Sequence, residues 1–137
     1  MMHARQRGLT LVELMVVVAV MAIIASVAYP LYTAQVQKSR RADAKVALQT
    51  IALAQERFFT INGEYTAGLS TLQIGTTSEQ GYYDLSITLA GGDNEQFTAT
   101  ADAVSSGAQG GDSDCAQFTI DQLGVKWATD GGGTNCW

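Results

Sequence analysis

One stretch limits this chain more than any other. From Leu9 to Tyr29 the residues are apolar or small, and the only charge among them is Glu13. As a helix the run would span roughly 31 Å, close to the hydrocarbon thickness of a bilayer. No other part of a 137-residue chain could bury such a helix on all sides. It belongs in lipid or in a bundle of like helices. A carboxylate in that setting costs several kcal/mol unless it finds a partner, so Glu13 is a functional residue by default.

Three readings fit the run. In the first it is a signal peptide, with Arg5 and Arg7 before an apolar core and Ser26-Val27-Ala28 as a small-residue cleavage site that would release a chain starting at Tyr29. In the second it is a plain membrane anchor. Neither accounts for Glu13, which weakens the apolar core without return. The third takes the residues Gly8-Leu9-Thr10-Leu11-Val12-Glu13-Leu14 together with the short basic leader MMHARQRG. These resemble the class III signal of type IV prepilins. The resemblance implies a leader of residues 1–8, an assembly helix of residues 9–30 and a globular domain of residues 31–137. It also implies cutting between Gly8 and Leu9 by a prepilin peptidase/N-methyltransferase and methylation of the Leu9 amine. This sequence has Leu9 where the family usually has Phe. Glu13 falls at the fifth position of the mature chain, where the family pairs the carboxylate with the amine of a neighbouring subunit. Each charge then reduces the other's desolvation penalty.

Basic residues flank the run on both sides, Arg5 and Arg7 before it and Lys38, Arg40 and Arg41 after it, so charge alone does not orient it. The family places the leader in the cytoplasm and the domain in the periplasm. The subunit waits in the inner membrane, then enters an extracellular pilus through an inner-membrane assembly platform and helix–helix packing with other pilin subunits. Pro30 removes one helical hydrogen bond. Helical signals resume at once after it, which predicts a kink in place of a stop.

From Leu31 to Phe59, Ala44, Ala47, Leu48, Ile51, Ala54 and Phe58 form an apolar stripe, with Lys38, Arg40, Arg41, Asp43, Lys45 and Glu56 expected to face water. Asn62-Gly63 is a helix stop. Residues 62–80 read as a loop. Tyr83, Leu85, Ile87 and Leu89 then alternate with polar residues, Gly91 to Asn94 turns the chain, and Phe97, Ala99, Ala101 and Ala103 alternate again. Ser105 to Asp114 reads as a flexible loop. Phe118 and Ile120 begin another strand, Gln122-Leu123-Gly124 a turn, and Val125 to Ala128 the return. The predicted class is α+β: a long N-terminal helix, transmembrane then amphipathic, packed on an antiparallel sheet of about four strands, as in the type IV pilin fold.

Cys115 and Cys136 are an even pair, which in an exported chain reads as one disulfide and in a cytosolic one as two free thiols. The ending FTIDQLGVKWATDGGGTNCW resembles PilE-type minor pilins of Gram-negative bacteria, in which a disulfide closes the last loop. Trp127 and Trp137 would cover the sheet edge or the bridge.

No catalytic constellation is visible, so an enzyme is not expected. His3 lies in the leader, and no GxSxG motif occurs. No cofactor or metal is expected. Asp93, Glu95, Asp112 and Asp114 are weak calcium candidates, with solvated turns as their default state. Net charge is −5, and losing Arg5 and Arg7 with the leader leaves −7. That balance disfavours nucleic acid, so no specific nucleic acid is expected. Alternatives within the same fold are a pseudopilin of type II secretion and a DNA or adhesion module at the pilus surface.

Overall fold

The computed structural model describes residues 10–129 and 136–137. The leader, Gly8 and Leu9 lie outside the described residues. One helix, α1 (Leu11–Asn62), precedes four strands: β1 (Tyr83–Ala90), β2 (Gln96–Ala103), β3 (Gln117–Asp121) and β4 (Lys126–Thr129). The chain divides into two compact units, one up to Val36 and one from Gln37 to Trp137.

In the first unit α1 starts on Thr10. The Glu13 amide donates to Thr10 Oγ1 at 3.2 Å and the Leu14 amide to the Thr10 carbonyl. Thr10 is therefore the N-cap, and Glu13, three residues on, sits where an acid favours the helix N-terminus. The large apolar side chains from Leu11 to Leu31 are exposed, and the helix is long and apolar enough to cross a membrane. Pro30 lies inside α1 and does not end it. Polar side chains here bond back to their own helix, Ser26 Oγ to the Ile23 carbonyl and Thr33 Oγ1 to the Pro30 carbonyl. That satisfies hydroxyls which lipid could not.

In the second unit the strands pair antiparallel in the order β1-β2-β3-β4. The register sets Leu85 against Ala101 and Leu89 against Phe97. Alternation puts Leu85, Phe97, Ala99, Ala101, Phe118 and Ile120 on one face, where they meet Ala44, Leu48 and Ile51 of α1. Fully buried aliphatic and aromatic side chains in that seam contribute roughly 1.5–3 kcal/mol each. Tyr65 stacks on Phe59 at 4.6 Å and meets Phe97 edge-on at 4.8 Å, which seals the end of the core beyond the helix. The helix stops at Gly63, whose φ of +77° a side chain would resist, and whose amide closes on the Phe59 carbonyl at 2.8 Å. Gln55 is buried, yet it bonds both the amide and the carbonyl of Thr66, so it ties the connecting segment to α1.

Two expectations change. Asp43 and Arg41 do not face water: Asp43 is 8% exposed and the Arg41 side chain 13%. The reason is that distant segments fold over this stretch of α1, the residues after β2 over Arg41 and the segment before β1 over Asp43. The segment from Ser105 to Asp114, read as flexible, is tightly folded. Gln109 and Asp112 are buried within it, and a Cβ at Gly110 would overlap the Ser105 carbonyl.

Candidate functional site: an assembly helix and its anchored head

Two places carry the chain's chemistry. The first is the N-terminal turn of α1, where Glu13 is exposed on a helix whose large apolar neighbours are exposed too. Its partner in the sequence reading, the Leu9 amine, lies outside the described residues.

The second is a polar cluster under the β2–β3 segment. Arg41 Nε and Nη2 donate to the two Asp112 oxygens, each at 2.7 Å, in a bidentate pair whose Asp112 side chain is 1% exposed. Gln109 Nε2 donates to Asp112 Oδ2 at 2.6 Å and to the Gln37 carbonyl at 3.2 Å. The Cys115 amide donates to Asp112 Oδ1 at 3.3 Å. Arg40 adds a bond from Nη1 to the Ala108 carbonyl and lies over the Tyr82 ring. The hydrogen bond to Asp112 raises the Arg41 pKa, with burial opposing it. Burial pushes the Tyr83 phenol up to about 12, helped by the nearby Asp112 charge. The cluster holds the head's return segment on the helix.

Both Asp112 oxygens are occupied by these donors, which removes it from the calcium candidates. Asp93 and Glu95 lie in the β1–β2 turn, at the other end of β2 from Asp112 and Asp114. Among the described residues no three acids, histidines or cysteines gather to hold a metal.

Cys115 is bonded to Cys136, with Cα atoms 5.7 Å apart. Closing a loop of about 20 residues is worth roughly 3 kcal/mol in the chain-entropy account. Trp137 extends the clamp: its indole donates to the Trp127 carbonyl at 2.6 Å and its ring meets Phe118 edge-on. Trp127 itself stays 51% exposed on the edge strand β4.

Cations gather on the β4 side of the head. Burial first, then the charges of Arg41, Lys38 and Lys126, lowers the Lys45 pKa. Lys38 and Lys126 therefore each lie close enough to Lys45 to repel it, and Lys126 also sits over the Trp137 ring at 5.1 Å, whereas Trp127, opposite Thr119, is on the sheet face away from α1.

Residues 30–119 match the family model described as type IV minor pilin ComP, DNA uptake sequence receptor, and residues 3–29 match the prokaryotic N-terminal methylation motif. The chain belongs to the type IV pilin family. This pilin is 36% identical over 94 residues to the type IV major pilin PilA of Myxococcus xanthus, covering 68% of its own length and 42% of the relative's. It is 30% identical over 112 residues to fimbrial protein EcpC of Eikenella corrodens, covering 80% and 73%. The chain thus spans less than half of the first relative and about three quarters of the second. The crystal structure of the non-core minor pilin PilV of Neisseria meningitidis superposes with a TM-score of 0.55 at 19% identity, over 73% of this pilin and 93% of that chain. That likeness shows the fold of the pilin head.

The sequence named both cysteines of the pilin's disulfide, and the structure sets Glu13 on the first turn of α1. Sequence reasoning missed Thr10 as the cap, although Thr10-Leu11-Val12-Glu13 has the capping-box spacing. It also missed the Arg41–Asp112 pair and the buried Gln55 and Gln109, for which no local signal exists.

Proposed function

We propose that this pilin is a structural, non-enzymatic minor subunit of a type IV pilus. It is made with residues 1–8 in the cytoplasm and its head in the periplasm. A prepilin peptidase/N-methyltransferase cuts between Gly8 and Leu9 and methylates Leu9. The inner-membrane assembly platform then draws the helix out of lipid into the bundle of other subunits. Glu13 pairs there with a neighbour's amine and sets the register, and Pro30 eases the fit of the helix in the bundle. The head, displayed outside, supports pilus biogenesis, twitching motility and adhesion.

One observation carries the reading. The methylation motif covers an exposed apolar stretch of α1, residues 11–29, whose only acid stands five residues after Gly8. Mass spectrometry of the protein from membranes is the test. The expected N-terminus is methylated Leu9, whereas a start at Tyr29 would point to signal peptidase and end the assembly role. The pseudopilin alternative predicts that deletion blocks enzyme secretion and spares twitching. The pilus reading predicts the reverse.

A second reading is DNA capture at the pilus surface. The family model's description supports it, as do Lys38 and Lys126 close to Lys45, which form a local cationic strip. Full-length protein in detergent is expected to retain duplex DNA at low salt, with a log–log salt slope of about −3 for three phosphate contacts. Replacing the three lysines by Ala is expected to abolish retention. Failure of the unmodified protein to bind at low salt removes this reading and leaves the first intact.

A further inference from the structure

A cavity of about 250 Å³ opens between α1 and the segment before β1, on the side of the helix away from the lysine strip. Asp43, Val46 and Ala47 line it from the helix, Ile74 and Glu79 from the connecting segment, and Leu85 from β1. The walls mix these aliphatic side chains with Thr50, Gln73, Thr77, Ser78 and the two acids, and no basic residue lines them.

Asp43 is the unusual member. It is 8% exposed, and its two oxygens differ. Oδ1 accepts a long bond of 3.3 Å from the Gln80 amide, while Oδ2 has no donor among the described residues. The Tyr83 hydroxyl is within electrostatic reach, yet it too stands outside hydrogen-bond geometry, so the two groups do not satisfy each other. Arg41, two residues before it on the same helix, is engaged by Asp112. A buried carboxylate with one oxygen unpartnered, at the wall of a cavity lined by no cation, carries part of its desolvation penalty until a donor arrives.

We infer that this cavity binds a primary alkylammonium group, which donates to the Asp43 carboxylate and lays its methylenes on Val46, Ile74 and Leu85. The chemistry selects this class. An ammonium supplies three donors and the missing positive charge. An alcohol would supply a donor and leave the charge. A calcium ion would need six or more oxygens. The cavity is smaller than ordinary drug-sized pockets, roughly 300–1,000 Å³, which suits a short linear chain. Such a group has two sources: a free diamine, or a lysine of a neighbouring copy. The second source rests on the filament reading, and the first does not.

Full-length protein in detergent micelles, labelled on Val, Leu and Ile methyls, is titrated with n-butylammonium and with n-butanol. Saturating shifts at Val46, Ile74 and Leu85 are expected with the amine alone. Asp43→Asn keeps the shape and is expected to weaken binding about tenfold or more. Ala47→Leu, which fills the cavity from a helix-compatible position, is expected to abolish it while distant methyls stay dispersed. Tighter binding of 1,5-diaminopentane than of Nα-acetyl-lysine methylamide assigns the free diamine, and the reverse assigns a neighbour's lysine. The inference is overturned if n-butylammonium moves none of these methyls, or if Asp43→Asn binds it as well as the unmodified chain.

Discussion

Glu13→Ala is expected to leave a membrane-inserted, processed pilin that no longer enters filaments. Removing one partner of a buried charge pair costs on the order of 3–5 kcal/mol. At about 1.4 kcal/mol per factor of ten, incorporation should fall at least about a hundredfold. Counting labelled subunits in sheared pili against the membrane pool measures this. A competing role is available in the fold itself, because Glu13 sits three residues after the N-cap Thr10, where it favours the helix start. Thr10→Ala separates the two. Losing a cap costs about 1 kcal/mol and should spare incorporation almost entirely. Equal defects in Thr10→Ala and Glu13→Ala would mean that the carboxylate serves the helix end and not the neighbour.

The second large effect is in the head. Arg41→Ala should destabilise it by about 3–5 kcal/mol, because Asp112 would be left charged, buried and short of two donors. An exposed ion pair would be worth only about 0–1 kcal/mol, so the size of the loss tests the burial directly. Urea unfolding of the full-length protein in detergent, followed by Trp fluorescence, gives the number. Lys38→Ala, exposed on the same helix, should stay within about 0.5 kcal/mol of the unmodified chain. A loss below about 1 kcal/mol for Arg41→Ala would mean that water reaches Asp112 and that the β2–β3 segment is held by its other contacts.

The cluster links features that look separate along the chain. Asp112 accepts from Arg41 on the helix and from the Cys115 amide beside the disulfide. Anchoring the segment before Cys115 and bonding Cys115 to Cys136 therefore act on one stretch of chain. That explains why a run rich in Gly, Ser and Asp, read as a flexible loop, is folded. Its order comes from Gln109 and Asp112, which take donors and acceptors from α1, and not from its own propensity.

Much of the head was legible because its signals are local. Period-two alternation at Tyr83–Leu89 and Phe97–Ala103 marks β1 and β2, and the turn between them sets a register that faces Leu89 to Phe97. The stripe of Ala44, Leu48 and Ile51 marks the buried face of α1. Reading Asp43 and Arg41 as solvent-facing failed for an equally physical reason. Charge predicts exposure only while nothing returns to cover it: Asp112, 71 positions on, meets Arg41, and Gln80, 37 positions on, meets Asp43.

By itself, then, the order of residues determined the kinds of element and the apolar stretch with its solitary acid, since each follows from spacing and composition over short distances. Tertiary structure alone decided which charges are consumed inside the head, which lysines gather on one flank, and where a carboxylate is left facing a cavity. Those outcomes depend on where distant segments meet, and a side chain's electrostatic role is set by the groups and the water that remain around it after they do.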